Sequence, residues 1–512
     1  MRHAYQVAAV RAAEQALMAA LPDGALMRRA AAGLAAVCGS MLARYPGHVY
    51  GARVAVLAGS GDNGGDALYA GALLARRGAA VTAITGGPKA HPGGLAELRA
   101  AGGRVTGDLA AAGPVIARAE VVIDGLLGIG GRGGLRAPFD GLARHAQRAT
   151  DQGATVVAVD LPSGIDADTG AVDGPAVRAD VTVTFGAIKP GLLVDPGAGY
   201  AGTVELIDIG LGPYLTGEPA AVAPQHEDIA RLLPRPGAES DKYRRGVIGV
   251  LAGSDRFGGA VVLATGGAVR GGAGMVRVVT APVPVGAVRQ AWPETVLTTY
   301  PDDPGWDLIG SVGRVQAWVA GPGMGTGPDA VARLTAILRT DLPVLVDADG
   351  LTIVSQHPGL LPRQAPTLIT PHAGELARLL GTEADAIEAR RLEHARRAAG
   401  QLGVTVLLKG STTVVADRRG GPVFVNPTGT PWLATAGTGD VLSGLAGALL
   451  AQGLAPAEAG ITAAYLHGLA ARLAAAGPAG PAGAVGEAGE APIGAHDVIT
   501  ALPAAIRAVA AA

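Results

Sequence analysis

The chain has 512 residues, of which 49% are apolar and only 3% aromatic. This length exceeds what one hydrophobic core fills and predicts two domains of roughly 200–280 residues each. A net charge of -2 at pH 7 gives no electrostatic basis for binding nucleic acid or a membrane surface. The single cysteine, Cys38, excludes an intramolecular disulfide. With no apolar leader at its start and no uncharged stretch of ~18–20 residues, the sequence predicts a cytoplasmic protein.

Short apolar runs alternate with Ala-rich helical stretches through the first 210 residues. Strands and helices that alternate at this spacing predict a parallel, doubly wound sheet with helices on both faces. Residues 68–77 have helical spacing between the first two runs. The predicted buried strands are 54–58, 81–85, 121–123, 155–159, 181–185 and 203–207.

A second series of strands begins after a stretch rich in Gly, Pro and charged residues. This composition predicts a linker over 212–240, between a domain over 1–211 and a domain over 241–512. We therefore expect an α/β protein made of two three-layer α/β/α domains. The predicted strands of the second domain are 247–251, 274–280, 315–320, 344–347, 367–370, 404–409 and 412–416.

The first candidate site begins at a glycine-rich turn, 59–66, directly after the first predicted strand. Such a turn lets backbone N–H groups approach a phosphate, but its aspartates would repel one, so something else is also bound. Asn63, Asp124, Asp160 and Ser163 all follow predicted strands, whose ends meet at one edge of a parallel sheet. An amide oxygen, one carboxylate and a hydroxyl or carbonyl from this group form an oxygen-only, weakly charged ligand set, which suits K⁺ better than Mg²⁺ or zinc. The competing interpretation is that these side chains only cap helices and tie turns.

These motifs resemble the NAD(P)H-hydrate epimerase family over residues 1–210. The resemblance rests on the Asn-Gly-Gly-Asp turn, on Asp124 followed by Gly-Ile-Gly at 128–130, and on Val-Asp-Leu-Pro-Ser-Gly at 159–164. It implies a Rossmann-like domain in which Asn63, Asp124 and Ser163 hold K⁺, and in which Asp160 contacts the reacting end of the substrate as a catalytic residue. By the same resemblance, the hydrated nicotinamide nucleotide is bound by Asp62, Asn63, Gly64, Gly65, Asp66, Gly128, Ile129, Gly130, Gly131, Arg132, Gly133 and Gly134, together with Asp160.

The second candidate site is the sequence Gly-Thr-Gly-Asp at 437–440, just before a predicted helix. Backbone N–H groups of this turn can form an anion hole for a transferred phosphate, and Asp440 can accept a proton from the attacking hydroxyl. Upstream, residues 409–413 close a strand where they can touch a nucleotide. Neither segment matches a Walker loop. The competing interpretation is that the glycines only mark the start of the helix and that Asp440 only places a negative charge in its first turn.

Six further motifs occur in the order that resembles NAD(P)H-hydrate dehydratase, a family with the ribokinase-like fold; they lie at 242–246, 252–254, 258–260, 321–325, 370–375 and 426–429. The resemblance spans about 240–512 and implies ADP as the nucleotide, bound with Mg²⁺. It implies that Ala260, Gly323, His372 and Asp440 face the hydrate. It also implies that the adenine nucleotide is bound by Lys409, Gly410, Ser411, Thr412, Thr413 and Gly439.

The two resemblances predict one bifunctional enzyme, an isomerase and a lyase, that repairs hydrated NADH and NADPH. The first domain would interconvert the R and S hydrates, and the second would dehydrate the S hydrate with ADP, using Asp440 as its base. Two rivals stay open at this stage: a vitamin- or sugar-type kinase with a non-catalytic first domain, and a non-catalytic scaffold. We expect the hydrates and ADP as ligands, no nucleic acid or membrane partner, and a homo-oligomer.

Overall fold

The computed structural model describes residues 1–44, 47–87, 89–131, 133–301, 306–477 and 489–511. These residues divide into two compact units. One unit comprises His3–Ala221, and the other comprises Val222–Ala512 with Met1–Arg2.

The N-terminal unit is a single parallel sheet covered by helices. The chain begins with the short strand β1 (Arg2–Ala4), which crosses the boundary between the units and is not part of this sheet. The strands of the sheet are β2 (Arg53–Ala58), β3 (Ala80–Thr85), β4 (Arg104–Thr106), β5 (Val121–Gly125), β6 (Thr155–Val159), β7 (Val181–Phe185) and β8 (Thr203–Ile207). Its helices are α1 (Val7–Met18), α2 (Ala25–Arg44), α3 (Asp62–Arg76), α4 (Pro92–Ala100), α5 (Ala112–Ala117), α6 (Phe139–Asp151) and α7 (Ala198–Ala201), with 3-10 turns at Pro190–Leu192 and Gly212–Tyr214.

The strands of this sheet run in the order β4-β3-β2-β5-β6-β7-β8, and neighbours in this order are parallel. Side chains alternate along each strand between the two faces of the sheet, and helices bury both faces. Val54 and Val56 of β2 join the core with Leu68 of α3, whereas Leu57 joins a second core with Leu142 of α6. The chain reverses its direction of winding between β2 and β5. This switch point is where open α/β sheets bind ligands.

One helix in the described part of the chain, Ala25–Arg44, is long and apolar enough to cross a membrane by length and composition. Its side chains Ala31, Leu34 and Cys38 are fully buried in the core of the N-terminal unit. Packing against α3 therefore accounts for the apolar face of this helix. Burial also raises the pKa of the Cys38 thiol to about 12, so it stays protonated.

The C-terminal unit has a larger sheet and a thicker layer of helices. Its strands are β9 (Ala221–Ala223), β10 (Val247–Leu251), β11 (Met275–Thr280), β12 (Val296–Thr299), β13 (Ala317–Ala320), β14 (Val344–Val346), β15 (Thr367–Ile369), β16 (Thr405–Leu408), β17 (Val414–Ala416) and β18 (Val423–Val425). Its helices are α8 (His226–Leu232), α9 (Gly258–Arg270), α10 (Val285–Ala291), α11 (Leu308–Val312), α12 (Pro328–Leu338), α13 (Asp349–Gln356), α14 (Ala373–Leu380), α15 (Ala384–Ala389), α16 (Arg391–Leu402), α17 (Thr438–Ala451), α18 (Pro456–Ala476) and α19 (Ala495–Ala510), with 3-10 turns at Pro358–Leu360 and Pro431–Leu433.

In this sheet the order is β9-β18-β17-β16-β15-β14-β13-β10-β11-β12. The strands from β10 to β16 pair in parallel, and β17 pairs antiparallel with both β16 and β18. Consequently β13, β14, β15 and β16 present their carboxyl ends at one edge. The segments that follow these four strands carry the second candidate site.

Glycine lets the central helices of this unit approach very closely, which is how a core with few aromatic residues is filled. A Cβ on Gly444 of α17 would lie 1.9 Å from the carbonyl oxygen of Ala264 in α9, and a Cβ on Gly267 would lie 2.2 Å from the carbonyl oxygen of Val441. Either alanine substitution would force the two helices apart. The close packing places the start of α17, and hence the second site, against the core.

The predicted fold class, an α/β protein with two α/β/α units, is confirmed. Every strand predicted from the sequence exists, with ends that differ by up to two residues. Five strands of three or four residues were not predicted: β1, β4, β9, β12 and β18. The interval 212–240, predicted as a linker, contains the strand Ala221–Ala223 and the helix His226–Leu232. This helix is regular structure because Asp228 completes a capping box and Ile229 is buried in the C-terminal core.

Candidate active sites

The first site is a cavity of about 460 Å³ at the switch point of the N-terminal sheet. The turn after β2, the segment after β5 and the end of β6 form its walls, and α1 closes one side. It brings together eight of the residues predicted for substrate binding: Asp62, Asn63, Asp66, Gly128, Ile129, Gly130, Gly131 and Asp160. Most of the residues predicted to bind substrate in the N-terminal unit therefore do lie together at this edge of the sheet.

Oxygen atoms from three segments meet beside this cavity, around the backbone carbonyl of Leu127. The Ser163 hydroxyl lies 2.7 Å from one oxygen of the Asp124 carboxylate, and the Ser163 amide donates to the other oxygen at 2.8 Å. The Leu127 carbonyl oxygen lies 3.1 Å from the Ser163 hydroxyl and accepts at 3.1 Å from the Asn63 side-chain amide. Asn63, Asp124 and Ser163, predicted as metal ligands, are thus neighbours.

Asp124 is fully buried and has no cationic side chain within 4 Å in the described part of the chain. Burial raises its pKa to about 6, although the hydrogen bonds from Ser163 and Leu126 oppose the shift. A buried carboxylate among neutral oxygens is suited to a monovalent cation, which would neutralise its single charge. The chemistry of this donor set therefore fits K⁺.

Asp160 follows β6 with a left-handed backbone, at a φ of 67° that is rare for a residue with a side chain. One carboxylate oxygen, Oδ1, accepts from the ammonium of Lys189, from the Thr184 hydroxyl at 3.1 Å and from the Phe185 amide at 3.3 Å. Lys189 is itself buried, with 1% of its side chain exposed. The other oxygen, Oδ2, accepts no hydrogen bond from the described residues and is free to meet a ligand.

Three more carboxyl groups, those of Glu14, Asp62 and Asp66, line the cavity with Asp160. Burial, and then the charges of Asp160, Asp62 and Glu14, raise the pKa of Asp66 well above its usual range. Burial and the charge of Asp160 also raise the pKa of Glu14, on α1, while Lys189 and Arg11 oppose that shift. The site therefore holds carboxyl groups with raised pKa values beside the lysine-paired Asp160, and perturbed carboxyl groups of this kind are common in acid-base catalysis.

Four glycines predicted to bind substrate are not among the cavity-lining residues. Gly64 and Gly65 lie on the buried side of α3, where a Cβ would meet the Gly59 backbone or the Met27 and His91 side chains. A Cβ on Gly134 would lie 2.5 Å from the Cα of Gly174, so this glycine permits close backbone packing. Gly133 has a left-handed backbone. Arg132 lies outside the described residues.

The second site is built on the first turn of α17. Gly437 precedes the helix in a left-handed conformation, and Thr438, Gly439 and Asp440 form the first turn. The free N–H groups of such a turn attract anions. Burial, and then the charges of Asp347 and Asp349, raise the pKa of Asp440 to about 7, while Lys409 opposes the shift. A carboxylate with this pKa is suited to accept a proton near neutral pH.

A buried ion pair lies next to Asp440. The Lys409 ammonium donates to the Asp347 carboxylate at 2.7 Å, and the Ser443 hydroxyl of α17 donates to the other Asp347 oxygen at 2.7 Å. A Glu375 oxygen is 3.8 Å from the same ammonium. The charge of Asp347, together with Glu375, raises the pKa of Lys409 against the effect of its burial. Lys409 therefore stays charged close to the Gly-Thr-Gly turn.

The other predicted residues of the second site occupy the segments around this pair. A Cβ on Gly323 would lie 2.9 Å from that of Ala260, so these two predicted hydrate-facing residues are adjacent. His372 caps α14: its Nδ1 accepts from the Gly374 and Glu375 amides at 3.0 and 3.3 Å, and 57% of its side chain is exposed. This capping role accounts for the Pro-His-Xaa-Gly-Glu motif at the start of α14. More than half of the His372 side chain stays exposed to solvent.

Arg391 supports the segment predicted to bind the nucleotide. It is fully buried and donates to the backbone carbonyl of Lys409 at 2.7 Å and to that of Thr412 at 3.0 Å. A Cβ on Gly410 would lie 2.2 Å from its guanidinium, which explains the glycine there. These hydrogen bonds from Arg391 fix the backbone conformation of the predicted loop 409–413.

Comparison with known proteins gives a separate match for each half of the chain. Residues 23–191 match the family model described as YjeF-related protein N-terminus, and residues 248–483 match the model described as NAD(P)H-hydrate dehydratase. A bifunctional NAD(P)H-hydrate repair enzyme Nnr of Mycobacterium leprae is 48% identical over 93% of this chain and 95% of its own length.

The chain belongs to the bifunctional NAD(P)H-hydrate repair enzymes. A relative of the same description from Escherichia coli K12 is 34% identical over 82% of this chain and 80% of its own length. A crystal structure described as ADP/ATP-dependent NAD(P)H-hydrate dehydratase from Bacillus subtilis, co-crystallised with ATP and Mg²⁺, is 29% identical. It covers 56% of this chain and 97% of its own, with a TM-score of 0.49.

Several residues that surround the predicted sites were not predicted from the sequence. Sequence reasoning missed Glu14, Lys189, Asp347, Glu375 and Arg391, all of which contact or face predicted site residues. One signal was available for the lysines. The chain has only four among its 41 basic Lys and Arg residues, and two of these four are buried against site carboxylates.

Proposed function

We propose that this chain repairs hydrated NADH and NADPH by two separate reactions. Residues 1–211 interconvert the R and S hydrates, and residues 241–512 use ADP to convert the S hydrate back to NADH or NADPH. The observation that supports this most directly is that each unit contains its own buried carboxylate and lysine group at the edge of its own sheet. We also propose that the enzyme works in the cytoplasm as a homo-oligomer.

In the dehydratase reaction, the substrate's C6 hydroxyl is a poor leaving group until it is phosphorylated. Asp440 removes the hydroxyl proton as the hydroxyl oxygen attacks the terminal phosphorus of ADP, which releases AMP. The backbone N–H groups of the Gly-Thr-Gly turn stabilise the charge on the transferred phosphoryl group. The ring nitrogen then expels phosphate, and loss of a proton from C5 restores the reduced nicotinamide.

Lys409 and the carboxylates around it would hold the charged part of the nucleotide. Its ammonium stays protonated beside Asp347 and can attract the phosphate groups. The carboxylates of Asp347 and Glu375 are oxygen ligands of the type that Mg²⁺ prefers and would hold it with the nucleotide. Bound there, Mg²⁺ would neutralise phosphate charge.

In the epimerase reaction, the substrate carbon is a hemiaminal, bonded to both the ring nitrogen and a hydroxyl. Inversion requires that one of these bonds break and re-form on the opposite face. The free Oδ2 of Asp160 is placed to take the hydroxyl proton, while Lys189, Thr184 and Phe185 fix the carboxylate through Oδ1. K⁺ held by Asn63, Asp124 and Ser163 would offset the Asp124 charge, which would otherwise repel the anionic nucleotide.

The rival interpretations are less well supported. A kinase of the vitamin or sugar type would release a stable phosphorylated product, and a scaffold would have no need of a strained, lysine-paired Asp160. The decisive experiment is to incubate the purified protein with mixed hydrate epimers. The reduced-nicotinamide absorbance should return fully with ADP and Mg²⁺ and should not return without ADP. A stable phosphorylated hydrate as the final product would favour the kinase.

Asp124→Ala is expected to weaken K⁺ binding and slow epimerisation, because it removes the only charged group of the proposed ligand set. Dehydration of the S hydrate should continue at the wild-type rate. The measurement is the epimerisation rate as a function of K⁺ concentration, with Na⁺ at matched ionic strength as the control. A wild-type enzyme whose rate does not depend on K⁺ would rule out the metal assignment.

Separate expression of residues 1–219 and 220–512, a cut that leaves the strand Ala221–Ala223 whole, is expected to give two active fragments. Each unit has its own hydrophobic core and its own site, so each should unfold cooperatively. The first fragment should interconvert hydrate epimers without nucleotide, and the second should consume only the S hydrate with ADP. Two inactive fragments would contradict the assignment of one reaction to each unit.

A further inference from the structure

Asp66 presents a buried carboxyl oxygen that nothing in the described residues satisfies. It lies on α3, one turn beyond Asp62, and lines both the 460 Å³ cavity and an adjoining apolar cavity of about 320 Å³. Its Oδ1 is inaccessible to solvent and accepts no hydrogen bond. A buried oxygen without a donor is costly as an anion, so its retention inside a ligand cavity calls for a functional explanation.

The charges that surround Asp66 differ from those that surround its neighbour Asp160. Three carboxylates act on it: Glu14 from α1, Asp62 from its own helix and Asp160 from the end of β6. Asp23, before α2, also lines the adjoining cavity. Among the described residues, the cations Lys189 and Arg11 act on Asp160 and Glu14, and no cation is among the causes of the Asp66 pKa shift. This environment favours the neutral form of Asp66, whereas Asp160 is ion-paired with Lys189.

We propose that Asp66 is a second catalytic residue of the epimerase, the acid that acts together with Asp160 as the base. This inference rests on the proposed function of the N-terminal unit. It assigns chemistry to a residue that was expected only to bind substrate. It also gives a role to a buried carboxyl oxygen without a hydrogen bond in the cavity that contains the lysine-paired Asp160.

The two groups complete a closed proton cycle on a hemiaminal. Asp160 takes the proton of the C6 hydroxyl as the bond between C6 and the ring nitrogen breaks, and Asp66 gives its proton to that nitrogen. The products are a C6 aldehyde and an open-chain enamine. After rotation about the C5–C6 bond, the nitrogen attacks the other face of the aldehyde, returns its proton to Asp66, and the new hydroxyl takes the proton from Asp160. Atoms and charge balance, and both residues are regenerated.

The experiment measures epimerisation and hydrate binding in the full-length protein and in the variants Asp66→Asn and Asp66→Glu. Asp66→Asn should slow epimerisation ~10²–10⁴-fold, with the dissociation constant of the S hydrate changed only a few-fold and dehydration unaffected. Asp66→Glu should recover part of the rate. In the wild type, the rate should fall as pH rises through the pKa of Asp66, and this fall should shift in Asp66→Glu.

Cooperative unfolding of each variant and retained hydrate binding show that the unit is folded. Equal loss of rate and of binding in Asp66→Asn would mean that Asp66 only holds substrate, and a near-normal rate would remove it from the reaction. Either result overturns the inference while leaving the proposed function intact. A wild-type protein that fails to interconvert the epimers would instead overturn the proposed function itself.

Discussion

Asp440→Asn is expected to abolish ADP-dependent dehydration, with a loss of ~10²–10⁴-fold, and to leave epimerisation at the wild-type rate. The asparagine side chain would keep the size and shape of the aspartate, but its amide could not accept the hydroxyl proton. Two assays on one protein make the comparison: recovery of reduced-nicotinamide absorbance from the S hydrate, and interconversion of the epimers without nucleotide. A variant with near-normal dehydratase activity would exclude Asp440 as the base.

The pH dependence adds an independent check on Asp440. Because its pKa is raised to about 7 and the base must be deprotonated, the dehydratase rate should rise as pH increases through about 7. The residual rate of Asp440→Asn should lack this rise. Asp329→Asn is a matched control, since Asp329 also lies in the first turn of a helix but is exposed. It should retain both rates and the wild-type pH profile.

The parallel sheet is the reason that much of both sites could be predicted from the sequence. Runs of Val, Ile, Leu and Ala bounded by Gly or Asp identify buried strands, and consecutive parallel strands must end at one edge. Asn63 follows β2, Asp124 ends β5 and Asp160 follows β6, so their convergence follows from topology alone. The same argument places 409–413 near the start of α17.

The partners of these residues could not be predicted, because they depend on tertiary packing. Lys189 lies 29 residues after Asp160, beyond β7, and nothing in its local sequence marks it as the counter-ion. Asp347 ends a predicted strand but gains its role only when Lys409 and Ser443 reach it. The helix His226–Leu232 was hidden in a Pro- and Gly-rich stretch because its stability comes from a cap and a core contact rather than from propensity.

The two sites share one electrostatic design. In each, a lysine pairs with a buried carboxylate at the end of a strand, and a second carboxyl group nearby has a raised pKa. The lysines are Lys189 and Lys409, in a chain that otherwise uses arginine for nearly all of its basic residues. A compact ammonium can be enclosed by carbonyl and hydroxyl oxygens where a guanidinium would not fit.

The largest combined effect on stability and activity is expected for Asp160→Asn. This variant leaves the fully buried Lys189 ammonium without a counter-charge, and breaking such a pair by removing one partner costs about 3–5 kcal/mol. It also removes the proposed base, so epimerisation should fall ~10²–10⁴-fold. Denaturant unfolding of the N-terminal unit measures the first effect, and epimer interconversion at a temperature where the variant is folded measures the second.

The double variant Asp160→Asn with Lys189→Met separates the two effects. Methionine fills much of the lysine volume without charge, so the free energy of unfolding should recover most of the loss, because no charge is left buried and unpaired. Epimerisation should stay as low as in Asp160→Asn, since the base is still absent, and dehydration should be unchanged in both variants. If the double variant regained epimerase activity along with stability, Asp160 would serve only to neutralise Lys189. The base would then have to be sought among the other carboxyl groups of the cavity, beginning with Glu14 on α1, whose pKa is affected by the charge of Asp160.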